Sequence, residues 1–528
     1  MTNLTPEQRA MGRDNANRVL GVTRRDMLKA AAALPAAGAF YFGYGAMEGK
    51  SAVRAAIIGT GNEGCQAMIR DHNRAYLDYI GFCDIRPSQR ERAVKEFSNH
   101  KQYGPADAKK LKSYQDIDEI LADKDVEVVV IALPLWLHAP IAIKAMKAGK
   151  HVFCEKLMAH SVQECKEMCR TARETNRLLA IGHQRHYSVL YDNANFLVRE
   201  GHLGEIRHIR ALWHRNNAQP RIAKDKDGKP VYDSKTGEPV YVRDAKGQIV
   251  YVDSWKPDIP ELDKNVDFAK YGYKTLDELI RWRLYNRTGA GLMAELGSHQ
   301  LDACSIFLGK KHPLSVTGVG GTYFYKDGRE VDDHVFVTFE FPGSKYVEGK
   351  PETDNGDRVI VTYSSINTNS FENYGEMLMG SRGTMIVEAE KEILLYKEAG
   401  GAALSRSTSV SVEKGARGSP VLEASPSTAG PSAAASLGGI ATADPSRGYR
   451  AELEHFAYCI RHGNASAYHE DKDHQPRCRG EVALADAVIA LTSNLAMKQQ
   501  RRIEFDPRWF DYSSPETPEG ASSLAKRA

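Results

Sequence analysis

Cysteine is scarce in this chain. Eight residues in 528 are too few for a disulfide scaffold. Cys83 and Cys154 end apolar runs that read as buried strands, so eight packed thiols are expected. A charge surplus is also missing. The 71 basic and 68 acidic side chains nearly cancel, which gives no footing for nucleic acid or a charged membrane surface as partner. The apolar run near the N-terminus, Ala30 to Ala46, falls short of the ~20 residues a span needs, and Pro35, Gly38, Gly43 and Gly45 interrupt it. No metal-ligand set is assigned. A chain of this length exceeds one typical core, so two domains with appendages are expected.

What is present is organised around residues 53 to 84. The apolar run Val53, Ala55, Ala56, Ile57, Ile58 turns through Gly59-Thr60-Gly61-Asn62-Glu63-Gly64 into a helix-compatible segment ending near Asn73. A second apolar run, Ile80 to Cys83, ends on Asp84. Strand, G-x-G-x-x-G, helix, strand, acid is the dinucleotide fingerprint in the context it requires. Gly59 permits the tight turn, Gly61 lets backbone approach a pyrophosphate, and Gly64 lets helix and strand pack closely. With Asn62 they open a helix whose positive end faces the phosphates. Asp84 follows at about the ~20-residue distance expected of the acid that accepts the ribose hydroxyls. It repels a 2′-phosphate and favours NAD, whereas Arg86, two residues on, can bind one. The choice between NAD and NADP stays open.

From 85 to 190 strands and helices alternate. Val126 to Leu133, His151 to Cys154 and Leu178 to Ile181 read as strands, and Ile141 to Ala148 and Val162 to Thr175 as helices. The expected class is α/β, a Rossmann-type doubly wound parallel sheet over 51–187, whose ligand lies at the carboxyl ends of its strands. The residues just past those ends are Pro134 to His138, Glu155-Lys156, and His183 to Tyr187. Oxidising an alcohol needs a base for the hydroxyl proton while hydride leaves carbon, and reduction needs the same group as acid. A lysine does both only if its pKa comes down from ~10.4 toward neutrality. Lys156 lies just past a strand end. His299 is the second candidate, as proton relay or hydrogen-bond donor, with Glu295 one helical turn earlier.

These segments resemble the glucose-fructose oxidoreductase, inositol dehydrogenase and MocA (Gfo/Idh/MocA) family. Glu155-Lys156-Leu157 resembles its Glu-Lys-Pro signature, and Leu133-Pro134-Leu135-Trp136-Leu137-His138 its Thr-Pro-x-x-x-His turn by the nicotinamide ribose. Gly291 to Asp302 resembles its glycine-rich acid-x-x-x-His-x-x-Asp motif, and Gly380-Ser381-Arg382-Gly383-Thr384 a late turn. The likeness covers most of 53 to 505. It implies a cofactor site of Gly59, Gly61, Asn62, Gly64, Asp84, Arg86, Pro134, His138, Glu155 and Lys156. It also implies catalysis by Lys156, His299 and Glu295, and a substrate site of Arg185, Tyr187, Glu295, His299 and Asp302. Asp302, at i+3 from His299, serves either the substrate or the imidazole's orientation. The sequence departs from the pattern in two places: Leu157 replaces proline, and Glu295 stands where sugar-oxidising members often have aspartate.

The second domain, 188–510, is expected to be α+β with a large open antiparallel sheet, a face that in the family often meets another subunit. Val189 to Arg199 is the bridging helix. Residues 216–274 interrupt with three short echoes around Gly228, Gly237 and Gly247, read as successive hairpins forming either a surface excursion or a rim of the pocket. Six strands are expected between Ser315 and Tyr396, a disordered loop over 399–446, helices over Tyr449 to Arg461 and Glu481 to Lys498, and a tail over 511–528. Residues 1–50 carry the address. Thr23-Arg24-Arg25-Asp26-Met27-Leu28-Lys29 before the alanine-rich run resembles a twin-arginine export signal. This implies the Tat translocation machinery as partner and a periplasmic location, membrane-anchored if the signal is retained.

The expected function is an exported NAD(P)-dependent oxidoreductase acting on a sugar or polyol hydroxyl, with tightly held cofactor, and homo-oligomeric through its sheet. Two rivals stand beside it. One is a redox-neutral glycosidase on the same cofactor, which needs a further base such as His186 or Tyr187. The other is a sugar-binding module without chemistry.

Overall fold

The computed structural model describes residues 4–20, 42, 44–45, 47–225, 229–347, 357–397, 410–414, 420–424 and 447–520. Apolar runs too continuous to be amphipathic form the centre of the first sheet. Its strands are β1 (Val53–Ile58), β2 (Leu77–Cys83), β3 (Lys112–Tyr114), β4 (Val128–Ile131), β5 (His151–Glu155) and β6 (Leu179–Gly182), all parallel in the order β3-β2-β1-β4-β5-β6. Every residue of β4 and β5 is buried, as strands covered by helices on both faces must be. The order reverses between β1 and β4, so a crevice opens at their carboxyl ends. Helix starts follow local chemistry: Ser161 Oγ accepts the Glu164 amide at 3.2 Å and caps Val162–Glu174, and Pro87 opens Pro87–Asn99. One expected boundary moves. The helix read over Ile141 to Ala148 begins at His138, because the tight turn Leu135–Leu137 runs straight into it.

The bridging helix Val189–Arg199 delivers β7 (Ile206–His214) to the second sheet. β8 (Ala218–Pro220) and β9 (Tyr251–Asp253) form a separate ribbon at the base of the interruption. β10 (Ser315–Gly321), β11 (His334–Pro342), β12 (Arg358–Ile366), β13 (Tyr374–Gly380), β14 (Gly383–Glu388) and β15 (Glu392–Lys397) match the six expected strands. β16 (Val410–Lys414) and β17 (Pro420–Ala424) pair with each other, and β18 (Ile503–Glu504) edges the large sheet, whose order is β15-β14-β13-β7-β12-β11-β10-β18. The sheet is mixed, which corrects the antiparallel expectation. β7 enters from the first domain between strands that follow it in sequence, so it runs parallel to β12 and antiparallel to β13. Burial alternates along β11 and β12, and the helix Ser298–Phe307 covers the inner face. Helix Gly480–Gln499 has the length and composition to cross a membrane, yet 78% of that stretch is buried within the protein: it is a core helix.

Within 399–446 only the strands β16 and β17 are described, and the rest of the stretch expected to be a disordered loop lies outside the described residues. One further expectation is corrected. Residues 511–520 are not a tail. The buried Lys166 ammonium donates to the carbonyls of Arg508 (2.8 Å), Ser514 (3.0 Å) and Glu516 (2.7 Å), and Glu519 accepts the Val162 amide at 2.8 Å. A buried ammonium needs acceptors, and this segment supplies them. Residues 521–528, the twin-arginine stretch 23–29 and most of the apolar run after it lie outside the described residues. All eight cysteines are free and buried, as expected.

Candidate active site

The turn after β1 is built for close approach. Gly59 has φ +90°, and a Cβ there would lie 2.2 Å from the Ala132 carbonyl oxygen; one on Gly64 would lie 2.1 Å from that of Gly59. Gly61 instead faces open space, with nothing within 4 Å of where a Cβ would be. At the end of β2, Asp84 accepts the amides of Thr60 (2.8 Å) and Arg86 (2.9 Å). Burial still holds its carboxyl above the ordinary range. Arg86 Nε is 2.9 Å from Asp263, which also takes the Ser88 amide (3.0 Å) and hydroxyl (2.6 Å). The Arg86 guanidinium is thus committed within the protein rather than standing free for a 2′-phosphate.

A cavity of about 1250 Å³ runs from Asp84 and Arg86, past Gly59, Gly61, Asn62 and Pro134, to Glu155, Lys156, Glu295 and His299. Lys156, just past β5, donates through Nζ to the Glu295 carbonyl at 2.9 Å. The Lys156–Leu157 peptide is cis. Glu295 belongs to a wide helical turn, Met293–Gly297, preceding Ser298–Phe307. Burial raises its carboxyl, but Arg283, 2.7 Å away, and then Lys156 outweigh burial and leave it below the usual range. Burial, then the charges of Lys156 and Arg185, hold the His299 imidazole well below its ordinary value. It is neutral at pH 7, and its Nδ1 has no hydrogen-bond partner among the described residues. Trp213 lies 5.4 Å from its ring. Glu155 is buried beneath, pushed up to about 8 by burial and the Glu63 charge.

Five assigned residues do not line the cavity: Gly64, which packs against the Gly59 carbonyl behind the turn, and four side chains. His138 lies between the carbonyls of Leu133 and Leu157, 2.8 Å from each, and ties the turn after β4 to the Lys156 loop; it is a positioning residue. Arg185 is buried, donating to the His299 carbonyl, to Glu376 (3.1 Å), Gln300 (3.1 Å) and Glu390 (3.3 Å), which anchors the helix bearing His299. Tyr187 Oη pairs with His455 (2.9 Å) and accepts the Arg477 amide (2.8 Å). Asp302 pairs with His186 (2.9 Å) and Lys310 (2.7 Å). Lys310 also lies 3.4 Å from Asp486, so an ammonium fills the centre of this carboxylate-histidine cluster. The assignments of His138 to cofactor and of Arg185, Tyr187 and Asp302 to substrate are corrected accordingly: none of the four lines the cavity, and the contacts above hold each of them inside the protein.

Other cavity residues carry no periodic or motif signal. They include Trp213 and Arg215 at the end of β7, Arg283, and Tyr449. Residues 254–273 also contribute, through Trp255 and Tyr273 among others. The interruption therefore does both things left open for it. Its hairpins, bridged at Ile222–Tyr241, Tyr232–Pro239 and Arg243–Ile249, form an excursion, and its return limb forms the cavity rim.

A glycine cradle open on one side, an acid at the neighbouring strand end and an elongated cleft fit a dinucleotide. Fold and cleft define an NAD-binding Rossmann domain joined to a mixed-sheet domain. Residues 53–183 match the model for the oxidoreductase family with NAD-binding Rossmann fold, and 266–369 that for the GFO/IDH/MocA C-terminal domain. Over these two segments the chain is similar to the Gfo/Idh/MocA oxidoreductases. It is 28% identical over 155 residues to an inositol 2-dehydrogenase of Salmonella typhimurium, covering 29% of this chain and 43% of that one. It is likewise 28% identical over 172 residues to a glycosyl hydrolase family 109 protein 1 of a Shewanella species, covering 30% and 35%. The chain thus spans less than half the length of these curated relatives. The fold is similar to that of the WlbA dehydrogenase from Bordetella pertussis, solved in complex with NADH and UDP-GlcNAcA, with a TM-score of 0.56 at 13% identity over 86% of this chain and 98% of that one.

Proposed function

We propose that this protein oxidises or reduces a carbinol carbon of a sugar or polyol, with Lys156 as acid and base. The observation that carries this is one cavity shared by the glycine turn, Asp84, Lys156 and His299. The nicotinamide, when bound, accepts or donates the hydride. Lys156 Nζ takes the hydroxyl proton on oxidation and returns it on reduction, steered by the Glu295 carbonyl. The neutral His299 hydrogen-bonds the substrate oxygen. Glu295, kept ionised by Arg283 and Lys156, balances charge at the reacting end. Similarity to an inositol 2-dehydrogenase favours a polyhydroxylated substrate. Asp84 beside a committed Arg86 favours NAD over NADP.

The similarity to a glycosyl hydrolase family 109 protein favours a second reading, a redox-neutral glycosidase. Incubation of purified protein with NAD and a sugar panel separates the two. Reduced nicotinamide, whether free or on the protein, marks a dehydrogenase; sugar release without it marks a glycosidase; the absence of both marks a binding module and ends both readings.

The twin-arginine stretch supports export to the periplasm through the Tat machinery. Free nucleotide is scarce there, so we also propose that NAD is loaded first and held through turnover. Denaturing the purified protein and weighing what it releases tests this: protein free of nucleotide yet fully active with added micromolar NAD refutes retention. Val319 and Phe336 face each other across β10 and β11 and are 63% and 50% exposed, which supports a homo-oligomer through that sheet. Sedimentation as a monomer would refute it.

A further inference from the structure

Among the cations lining the cavity, Arg215 stands apart. Every other arginine and lysine there has an acceptor among the described residues: Arg86 has Asp263 at 2.9 Å, Arg283 has Glu295 at 2.7 Å, Arg447 has Glu390 at 3.9 Å, Arg281 has Asp277, and Lys156 has a backbone carbonyl. The Arg215 guanidinium has none among the described residues. Burial and then the Arg283 charge pull its pKa down, the sign of a cation whose surroundings do not compensate it. A guanidinium stays charged regardless. An unpaired, partly desolvated charge is costly, and a ligand that neutralises it recovers that cost.

The side chain's direction follows from the backbone. The Arg215 amide donates to the Ile366 carbonyl at 2.9 Å, extending the β7–β12 pairing one residue past the end of β7. Side chains therefore still alternate here. His214 turns to one face, with Nε2 3.0 Å from Ser364 Oγ. Trp213 turns to the other, stacked at 4.5 Å on Tyr374 and 5.4 Å from the His299 ring. Arg215 shares that second side, which places its guanidinium toward the His299 end of the cavity, where the charges of Arg283, Glu295 and Glu63 reach it. Arg283 is neutralised by Glu295, which leaves Arg215 as the one uncompensated fork near the reacting centre among the described residues.

We infer that the substrate is an acidic sugar or polyol whose carboxylate pairs with Arg215. This rests on the reading of the cavity as a dehydrogenase site. A planar fork matches a carboxylate bidentately, and a single uncompensated positive charge matches a monoanion better than a phosphate dianion.

The test uses full-length protein loaded with NAD and matched probes: galacturonate against galactose, glucuronate against glucose, and glucose 6-phosphate as the dianion. Expected is a kcat/KM for a uronate at least 10-fold above that for its neutral partner. Arg215→Met should shrink that preference about 10- to 100-fold, the worth of one charged hydrogen-bonded pair, and Arg215→Lys should retain part of it. Equal use of acid and neutral sugar, an unchanged preference in Arg215→Met, or a preference for the 6-phosphate overturns the inference while leaving the dehydrogenase reading intact. Loss of NADH affinity in Arg215→Met would move the guanidinium onto the cofactor and also overturn it. If no probe is oxidised, calorimetry with the Lys156→Ala holoprotein decides. Uronate binding that Arg215→Met abolishes upholds the carboxylate site and refutes only the chemistry; absence of uronate binding refutes the site.

Discussion

Asp84→Ser tests how the cofactor is chosen. The Asp84 carboxylate already accepts two amides, at 2.8 and 2.9 Å, and its Oδ1, which takes only the Arg86 amide, has a lone pair left for a ribose hydroxyl. Losing one or two charged hydrogen bonds at ~1.5 to 3 kcal/mol each should raise the Kd for NADH by roughly 10-fold at least. Serine also removes the negative charge that repels a 2′-phosphate. The gain for NADPH should nonetheless be small, because Arg86 is held by Asp263 at 2.9 Å. Only Asp84→Ser combined with Asp263→Asn should recruit Arg86 and favour NADPH. Fluorescence titration of both nucleotides against wild type, single and double variants reads this directly, with melting temperature as a control for the lost amide partners. Unchanged affinity for NADH in Asp84→Ser would refute the assignment. A single variant that already binds NADPH tightly would refute the role given to Asp263.

Lys156→Ala should lower turnover by at least the ~10²-fold of lost acid-base catalysis with NADH affinity nearly intact, and His299→Ala should be damaging to a lesser degree; steady-state kinetics with a turned-over sugar checks both. Lys166→Met leaves three carbonyls without their buried ammonium and should cost about 3 kcal/mol, read by denaturant titration. Burial holds His72, His151 and His183 at about 3, below the ordinary 6.5. The unfolded chain then binds more protons, so stability is full above about pH 6.5 and falls as pH drops; three groups at ~1.36 kcal/mol per unit amount to up to about 6 kcal/mol by pH 5. A melting temperature flat from pH 7 to 5 would contradict that sign.

Most of the scaffold was legible because burial leaves a pattern. β4 and β5 are continuous apolar runs, β11 and β12 alternate, and Gly59 and Gly64 stand where any side chain would strike a carbonyl. Lys156, Glu295 and His299, each at a fixed offset in a motif, come together along one cavity. What failed was side-chain direction. Strand-end position puts Arg185 and Tyr187 at the correct edge, but their partners, Glu376 and His455, come far later in the chain. Nothing local says that the polar atoms turn inward. The parallel pairing of β7 with β12 was hidden for a related reason, since alternation reports a half-buried strand and not its neighbour. Arg215, Arg283 and Asp263 were missed because isolated charges next to and within a charge-rich interruption look like solvated surface until their surroundings are seen.

The polypeptide flanking the twin-arginine stretch is part of the fold. Before it, helix Pro6–Leu20 lies along β15, an end strand of the large sheet. Arg9 pairs with Glu388 and with Glu392 (2.9 Å), Arg13 pairs with Glu392 (3.0 Å), and Asn15 donates to the Leu395 carbonyl (3.0 Å). Gly12 fits against the Tyr396 ring so closely that a Cβ would come within 2.6 Å of its hydroxyl. After the stretch, Tyr44 is buried and donates to Glu454 at 2.8 Å, and the Gly45 carbonyl accepts from Tyr76 at 3.0 Å. The helix also covers a strand edge that would otherwise be open to pairing with another chain. A cut between the two anchors should therefore leave the helix attached without a covalent link. With a protease site placed at residues 30–36, the cleaved N-terminal fragment is expected to co-elute with the body at low salt. It should dissociate more readily at 1 M salt, where part-exposed ion pairs are screened, and in Gly12→Val, where the ring contact is lost. A fragment that elutes alone at low salt, with the melting temperature of the body unchanged, would refute the docking.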